Sequence, residues 1–102
     1  MGSQQPSCCP HYHEAVELIG RRWTGAIVAV LLEAGPLRFG EIGHAVPQLS
    51  DRLLSERMKE LEARGIVERC DDGYALTEMG RALEPAVREL RSWAQSWLAP
   101  AG

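Results

Sequence analysis

Apolar residues recur at helical spacing along most of the chain, and this pattern predicts five helices. The predicted helices span about Tyr12–Ile19, Trp23–Ala34, Phe39 or Gly40–Val46, Asp51–Arg64 and residues 78–98. The second is apolar on nearly every side, so we expect it at the centre of the core. Its apolar residues include Ile27, Val28, Val30, Leu31 and Leu32. Pro85 lies inside the last helix, where its missing N–H predicts a kink near residues 81–84.

The fourth predicted helix has the clearest boundary signals. Pro47-Gln48-Leu49 is typical of a turn, and Ser50 is a favourable N-cap. Asp51 follows in the first turn, where a carboxylate complements the helix dipole, and Gly65 ends the helix. The predicted buried face consists of Leu54, Met58 and Leu61, with Leu53 beside it.

Two short strands follow this helix. Residues Ile66–Cys70 and Tyr74–Leu76 flank Asp71-Asp72-Gly73, whose Asp-Gly pair indicates a hairpin turn. A short helix, a turn, a capped helix and a hairpin, in this order, are the outline of a winged helix-turn-helix. The predicted fold class is therefore mainly α (α+β), with a two-stranded β-wing.

The length of 102 residues allows one domain. We expect a flexible N-terminal arm over residues 1–10, a winged helix domain over 11–98 and a tail over 99–102. The chain has no run of ~18 apolar residues, which excludes a membrane span. Met1–Ser7 is neither basic nor apolar, so it does not resemble a signal peptide. A cytoplasmic location is the resulting expectation.

The charge of the chain permits a DNA-binding face without requiring one. The formal net charge is −3, which by itself disfavours nucleic acid. However, ten of the eleven basic residues are arginine, whose planar guanidinium suits phosphate and guanine. Acidic residues on other helix faces leave such a local basic surface possible.

The side of the fourth helix opposite its apolar face is the candidate DNA-reading surface. It carries Arg52, Ser55, Glu56 and Lys59, and begins at Ser50 and Asp51. With the N-terminus of the helix in a major groove, Arg52 would reach guanine edges and Lys59 a phosphate. The alternative is an ordinary solvated helix face, but its position between a helix-turn and a hairpin favours DNA.

Further candidate DNA contacts lie outside this helix. Arg22 and Arg38 stand at the starts of elements, where they would bind phosphates, or else pack on Trp23 or remain solvated. Gly73 in the wing is also a candidate. The neighbouring Asp71 and Asp72 disfavour phosphate contacts there, because like charges repel.

The segment Cys8-Cys9-Pro10-His11-Tyr12-His13 carries the candidate redox chemistry. Adjacent cysteines rarely both reach one zinc ion, so we expect no metal and no cofactor. The remaining interpretations are a thiol sensor at Cys8 or Cys9, activated by a nearby cation, and an inert thiol. The sequence also has no glycine-rich phosphate loop and no nucleophile elbow, so nothing indicates an enzyme.

Trp93 and Trp97 lie one helical turn apart near the C-terminus and need a surface to bury against. We predict a homodimer, since a helix-turn-helix reader needs two half-sites. The alternative is packing onto the domain's own core, and with Trp23 they would also line an aromatic ligand pocket. The predicted dimer residues are Val16, Val87, Leu90, Trp93, Ala94 and Trp97.

Several motifs in this order are similar to those of the HxlR-type (MarR-like) regulators. They are Cys9-Pro10, Ile19-Gly20-Arg21-Arg22-Trp23-Thr24, Leu37-Arg38-Phe39-Gly40-Glu41-Ile42, the run from Leu49 to Glu62, Gly65-Ile66-Val67-Glu68-Arg69, Tyr74-Ala75-Leu76-Thr77-Glu78-Met79-Gly80 and Trp93. The resemblance implies a homodimeric winged-helix repressor or activator whose first and last helices build the dimer. It also implies, for some members, sensing of oxidants or electrophiles at the cysteine that aligns with Cys9. The wing is shorter and more acidic than is usual in the family.

The function expected from these observations is DNA-binding transcriptional regulation, as a repressor. The expected partners are double-stranded DNA at a pseudo-palindromic operator, a second copy of the chain and a small-molecule effector. The acidic net charge and wing tip keep one alternative open, a winged helix that binds protein without reading DNA sequence.

Overall fold

The computed structural model describes residues 9–100 and confirms the winged helix-turn-helix. Its helices are α1 (Pro10–Gly20), α2 (Thr24–Ala34), α3 (Phe39–Ala45), α4 (Asp51–Ala63), α5 (Glu78–Arg81) and α6 (Glu84–Trp97), and its strands are β1 (Val67–Cys70) and β2 (Gly73–Leu76). None of the helices within residues 9–100 is long and apolar enough to cross a lipid bilayer.

Helix α2 lies in the core, as its composition predicts. Ile27, Val28 and Leu31 are almost fully buried, whereas Val30 and Leu32 are only partly buried against the same cluster. The other elements surround this helix and complete the core. They contribute Ile42, Val46, Leu49, Leu54, Met58, Leu61, Ile66, Val67 and Leu76.

The wing is a two-stranded antiparallel sheet in which Cys70 pairs with Gly73. Gly73 therefore belongs to β2, and the connecting loop is Asp71-Asp72 alone, which corrects the predicted three-residue turn. The reason for glycine is the approach of the segment before α3. Leu37 exchanges two backbone hydrogen bonds with Tyr74, at 3.0 and 2.8 Å. A Cβ at position 73 would overlap the Leu37 carbonyl oxygen and lie 2.7 Å from its carbon.

The prediction of one kinked helix over residues 78–98 is wrong, because the structure has two helices there. The amide of Leu83 bonds back to Gly80 at 3.1 Å, which closes a tight turn at the end of α5. Helix α6 then starts at Glu84, with Pro85 in its first turn. Proline is tolerated at that position because its missing N–H would have no intrahelical partner there.

The first two helices also start at residues other than those predicted. Helix α1 begins at Pro10 rather than Tyr12, since proline fits the first turn. Helix α2 begins at Thr24 because Trp23 adopts a left-handed conformation with φ of 75°. Such a φ is rare for a bulky side chain, and it ends the turn between α1 and α2.

Candidate nucleic-acid interface

The helix-turn-helix is formed by α3, a turn and α4. The turn is anchored in the core by Val46 and Leu49, each 5% exposed, and the Leu49 amide bonds to the Val46 carbonyl at 3.0 Å. Ser50 is the N-cap of α4, as predicted, and its Oγ accepts a hydrogen bond from the Leu53 amide at 3.2 Å. These contacts fix where α4 begins and which way it points.

Helix α4 buries one face and presents the predicted polar face to solvent. Leu54, Met58 and Leu61 are at most 1% exposed, which confirms the predicted buried face. On the opposite side the side chain of Arg52 is 90% exposed, and its Nε lies 3.6 Å from Glu56 Oε2. The remaining predicted residues of this face are Asp51 and Lys59, which are exposed, and Ser55, which is partly buried.

Arg38 connects the helix-turn-helix with the wing. Its backbone N–H donates to Glu41 Oε1 at 2.8 Å, which caps the start of α3. Its guanidinium Nη2 lies 3.9 Å from Asp72 Oδ2 at the wing tip. Both side chains are mostly exposed, at 68% and 76%, so this ion pair is weak. Arg38 therefore remains available to a phosphate.

Arg22 lies in the turn between α1 and α2 rather than on α4. Its guanidinium stacks over the ring of Trp23, with Cζ 5.4 Å from the ring centroid. This contact matches the packing interpretation of the sequence. A phosphate contact by Arg22 stays a prediction, and so does a DNA contact by Gly73, whose glycine is explained by the close approach of the Leu37 and Arg38 backbone.

Arg57 is a residue that the sequence reasoning missed. It is 8% exposed, and its Nε donates a hydrogen bond to the Arg22 carbonyl at 2.9 Å. Position 57 lies three residues after Leu54 and four before Leu61, which places it on the buried face of α4 by helical geometry. The helical spacing places Arg57 on the buried face, but a charged residue is rarely buried, so the sequence did not predict its burial.

The predicted dimer residues lie mainly on open surfaces of α1 and α6. Val16, Leu90, Trp93 and Trp97 are 48%, 58%, 53% and 74% exposed. Val87 instead packs partly against its own core, and Ala94 is partly buried. The prediction omitted Tyr12 on α1 and Leu98, the residue after α6, whose side chains are 66% and 68% exposed.

Cys9 is exposed and immediately precedes α1. Its carbonyl accepts a hydrogen bond from the His13 amide at 2.9 Å, so the residue is joined to the first turn of the helix. Cys70, at the end of β1, is exposed as well. The other sensor candidate, Cys8, lies outside the described residues.

Comparison with known proteins identifies the family to which this arrangement belongs. Residues 18–101 match the HxlR-like helix-turn-helix family. The chain belongs to the HxlR family. The HTH-type transcriptional regulator YvaP of Bacillus subtilis (strain 168) is 43% identical over 103 residues, covering 94% of each chain. YodB, an HTH-type transcriptional regulator of the same organism, is 41% identical over 99 residues, covering 90% of this chain and 88% of YodB.

Solved structures of HxlR-type regulators have the same fold. Quinone-bound YodB from B. subtilis superposes with a TM-score of 0.81 at 45% identity, over 87% of this chain and 100% of that one. The redox regulator HypR in its reduced form gives 0.77 at 33% identity, over 84% and 91%. The protein is a transcriptional regulator of the HxlR type with a DNA-binding helix-turn-helix, and its relatives are regulators rather than enzymes.

Proposed function

We propose that this regulator is a repressor that binds a pseudo-palindromic operator as a homodimer, with α4 in the major groove. The observation that carries the proposal is the two-sided character of α4. Its inner face is held in the core by Leu54 and Met58, while Arg52 and Lys59 extend from its outer face. A helix that is held in the core on one side and exposes arginine and lysine side chains on the other is the part that reads base pairs in helix-turn-helix proteins.

Each residue of the outer face has an assigned contact in this proposal. Arg52 bonds in a bidentate manner to guanine O6 and N7, and Lys59 binds a phosphate. To do so Arg52 leaves Glu56, which is inexpensive because an exposed ion pair contributes little. Ser55 and Glu56 lie beside base edges, with the capped N-terminus at Ser50 and Asp51 entering first.

The homodimer is formed by α1 and α6, which bury no residue fully within their own chain. The Cα radius of gyration of 15.7 Å exceeds the roughly 12–13 Å of a compact domain of this length. A second copy would cover Trp93, Trp97 and Val16, which are at least 48% exposed. Two α4 helices ~34–36 Å apart would then enter successive major grooves.

A substitution of Arg52 tests the reading face. Duplexes are first selected from a randomised pool with the wild-type protein. We expect Arg52→Ala to weaken binding of the selected duplex by about tenfold to a hundredfold. The slope of log K against log salt should fall by about one phosphate equivalent at most. Arg88→Ala is the matched control, since Arg88 forms a similar exposed pair with Glu84 at 3.7 Å, but on α6.

The same experiment distinguishes a second function. The exposed wing-tip residues Asp71 and Asp72, together with the net charge of −3, favour a winged helix that binds protein. In that case the selection yields no preferred duplex, binding changes little with salt, and Arg52→Ala behaves like Arg88→Ala.

For a repressor, transcription in vitro from a promoter that contains the selected duplex should fall when the protein is added.

We further propose that the regulator responds to oxidants or electrophiles through Cys9. This rests on its exposed position at the start of α1 and on the similarity to a YodB structure with bound quinone. With a quinone, the thiolate sulfur forms a bond to a ring carbon as the ring C=C π bond breaks. The electron pair moves to the conjugated carbonyl oxygen, which takes up the proton that the thiol has lost. The alternative is a small ligand between the dimer helices and the winged domain, with Trp23, Trp93 and Trp97 lining an aromatic pocket.

Cys9→Ser tests the sensor. The variant should bind the selected duplex as the wild type does, because Cys9 is not on α4, but its binding should no longer respond to a quinone or to diamide. Diamide takes two hydrogens from two thiols, Cys9 and either Cys8 or the Cys9 of a second copy, which become a disulfide, so it tests the same sulfur by a different reaction. Cys70→Ser is the control, since Cys70 is exposed too, and its response should be unchanged. A full response in Cys9→Ser would contradict the proposal.

A further inference from the structure

Arg57 occupies an unusual position for an arginine. Among the described residues it is the one charged side chain that is buried, and it lies on the inner face of α4. Arginine is rarely buried unless its donors are satisfied. Here Nε donates to the Arg22 carbonyl at 2.9 Å, a contact that spans 35 positions in sequence. The bond therefore joins the recognition helix to the turn between α1 and α2.

The turn that receives this bond has a strained backbone. Trp23 has φ of 75°, the one positive value among the described non-glycine residues. A left-handed bulky residue persists only when its surroundings hold it in place. The Thr24 amide bonds to the Arg21 carbonyl at 3.0 Å, and Arg57 holds the adjacent carbonyl of Arg22 from outside. Arg57 thus supports the one backbone conformation that local preference disfavours.

Glu60, one turn along α4, extends this link to α1. Its carboxylate lies 3.8 Å from Arg57 Nη1 and 3.1 Å from Arg21 Nη2, so it bridges the two arginines. Near the end of α4, Arg64 Nη2 lies 2.6 Å from Glu14 Oε2 on α1. Of these links the hydrogen bond from Arg57 to the Arg22 carbonyl is the best shielded, since it is partly buried and the Arg57 side chain is 10% exposed. It is therefore the link that depends least on solvent and salt.

We propose that Arg57 is a positioning residue for DNA binding. It fixes the angle between α4 and the α1–α2 turn. The orientation of the DNA-reading face of α4 therefore depends on the orientation of α1. This inference rests on the proposed function, because it assumes that α1 belongs to the dimer and α4 to the operator. In a dimer, a small rotation of α4 relative to α1 changes the separation of the two reading helices, which must match the half-site spacing.

The test uses Arg57→Lys in the full chain. Lysine keeps the positive charge that faces Glu60 but has a methylene where Arg57 has its Nε donor, so the bond to the Arg22 carbonyl is lost. The control is Arg64→Lys, since Arg64 also joins α4 to α1, but its exposed pair with Glu14 can re-form with lysine. Amide hydrogen exchange is measured without DNA, and binding is measured on the duplex selected by the wild-type protein.

We expect two results for Arg57→Lys. Protection of the Thr24 and Ile27 amides, which bond to the Arg21 and Trp23 carbonyls, should fall by about tenfold, while that of the wing stays unchanged, because the effect is local. Affinity for the selected duplex should also fall by about tenfold with an unaltered salt slope, since the substitution keeps the positive charge. Arg64→Lys should show neither change.

Several outcomes would overturn the assignment. Wild-type affinity in Arg57→Lys, with a normal loss in Arg52→Ala, rejects the positioning role and leaves the proposed function intact. Loss of protection throughout the chain would indicate a general structural role. A selection that yields no preferred duplex would reject the proposed function and this inference together.

A second variant covers the case in which Arg57→Lys does not fold. Glu60→Gln keeps the shape of the side chain and removes the charge between Arg57 and Arg21. Glu60→Gln leaves the bond to the Arg22 carbonyl in place. It should therefore reduce both the protection of the Thr24 and Ile27 amides and the affinity for the selected duplex, but by less than Arg57→Lys does. No reduction in either quantity would contradict the proposed link.

Discussion

Helices α4 and α6 are similar in length, with 13 and 14 residues, and both are amphipathic, but only α4 has a buried face. Leu54 of α4 is fully inaccessible, whereas Leu90 of α6 is 58% exposed and Trp97 74%. An amphipathic pattern predicts that a helix covers an apolar surface. It does not say whether that surface belongs to the same chain. For α4 the surface is the domain's own core, and for α6 we propose that it is a second copy.

The largest expected effect comes from making the same substitution on both helices. Leu54→Ala should lower the free energy of unfolding by about 3 kcal/mol at any protein concentration, because it opens a cavity in the core. Leu90→Ala should change it by less than about 0.5 kcal/mol in dilute protein. Its effect should grow at concentrations where the wild type is dimeric, since the dimer stabilises the fold by mass action.

Urea unfolding, repeated over about a hundredfold range of protein concentration, measures both effects. Sedimentation measures the oligomeric state over the same range. A wild-type protein that sediments as a monomer at micromolar concentration would remove the dimer from the proposal. If Leu90→Ala is then as damaging as Leu54→Ala, α6 packs on its own domain, and the contrast between the two helices disappears.

A smaller effect is expected at the junction that connects α6 to the domain. Gly80 in α5 is buried, and a Cβ there would overlap the Ile66 carbonyl oxygen and lie 3.0 Å from Leu76 Cδ2. Gly80→Ala should therefore destabilise the protein by about 2 kcal/mol. Gly40→Ala in α3 is the control, because no atom lies within 4 Å of its Cβ position. Gly40→Ala should stabilise the protein by about 0.5–1 kcal/mol. If Gly80→Ala and Gly40→Ala change the free energy of unfolding equally, α5 does not pack closely on the wing.

The smallest expected effect concerns the starts of the two helices. Ser50 Oγ caps α4, whereas α6 begins without a side-chain cap. Ser50→Ala should lower the free energy of unfolding by about 1 kcal/mol. Ser92→Ala, inside α6, should be neutral or slightly stabilising because alanine has the higher helix propensity. Thermal unfolding of both variants in parallel measures the difference, and an unchanged Ser50→Ala would contradict the importance of this cap.

The sequence predicted the helix-turn-helix well because its signals are local. Ser50 caps α4, Gly65 follows its end, and the buried face has the spacing of Leu54, Met58 and Leu61. Each depends on residues within a few positions of one another. The resemblance to the HxlR family rests on these same segments and was confirmed by the family match.

The misassigned features depend on more distant contacts or on two competing local preferences. Pro85 signals a disturbance wherever it falls in a helix, and the sequence alone does not say whether the helix bends or starts again there. The Asp-Gly pair correctly predicted the hairpin, but the interpretation of Gly73 as a turn residue was wrong. Glycine is required there because the backbone of Leu37, which is distant in sequence, lies against it.

The amino-acid sequence predicts the order of the elements through the wing, the start of α4 and the face of α4 that enters the core. Helical periodicity and capping are properties of neighbouring residues, so they can be read from the chain. Three features follow from tertiary contacts instead. Arg57 is buried, its Nε donates to the Arg22 carbonyl, and the backbone of Trp23 is in the left-handed conformation. These features arise where segments 35 positions apart meet, and burial of a charge is stable only where such a meeting satisfies its donors.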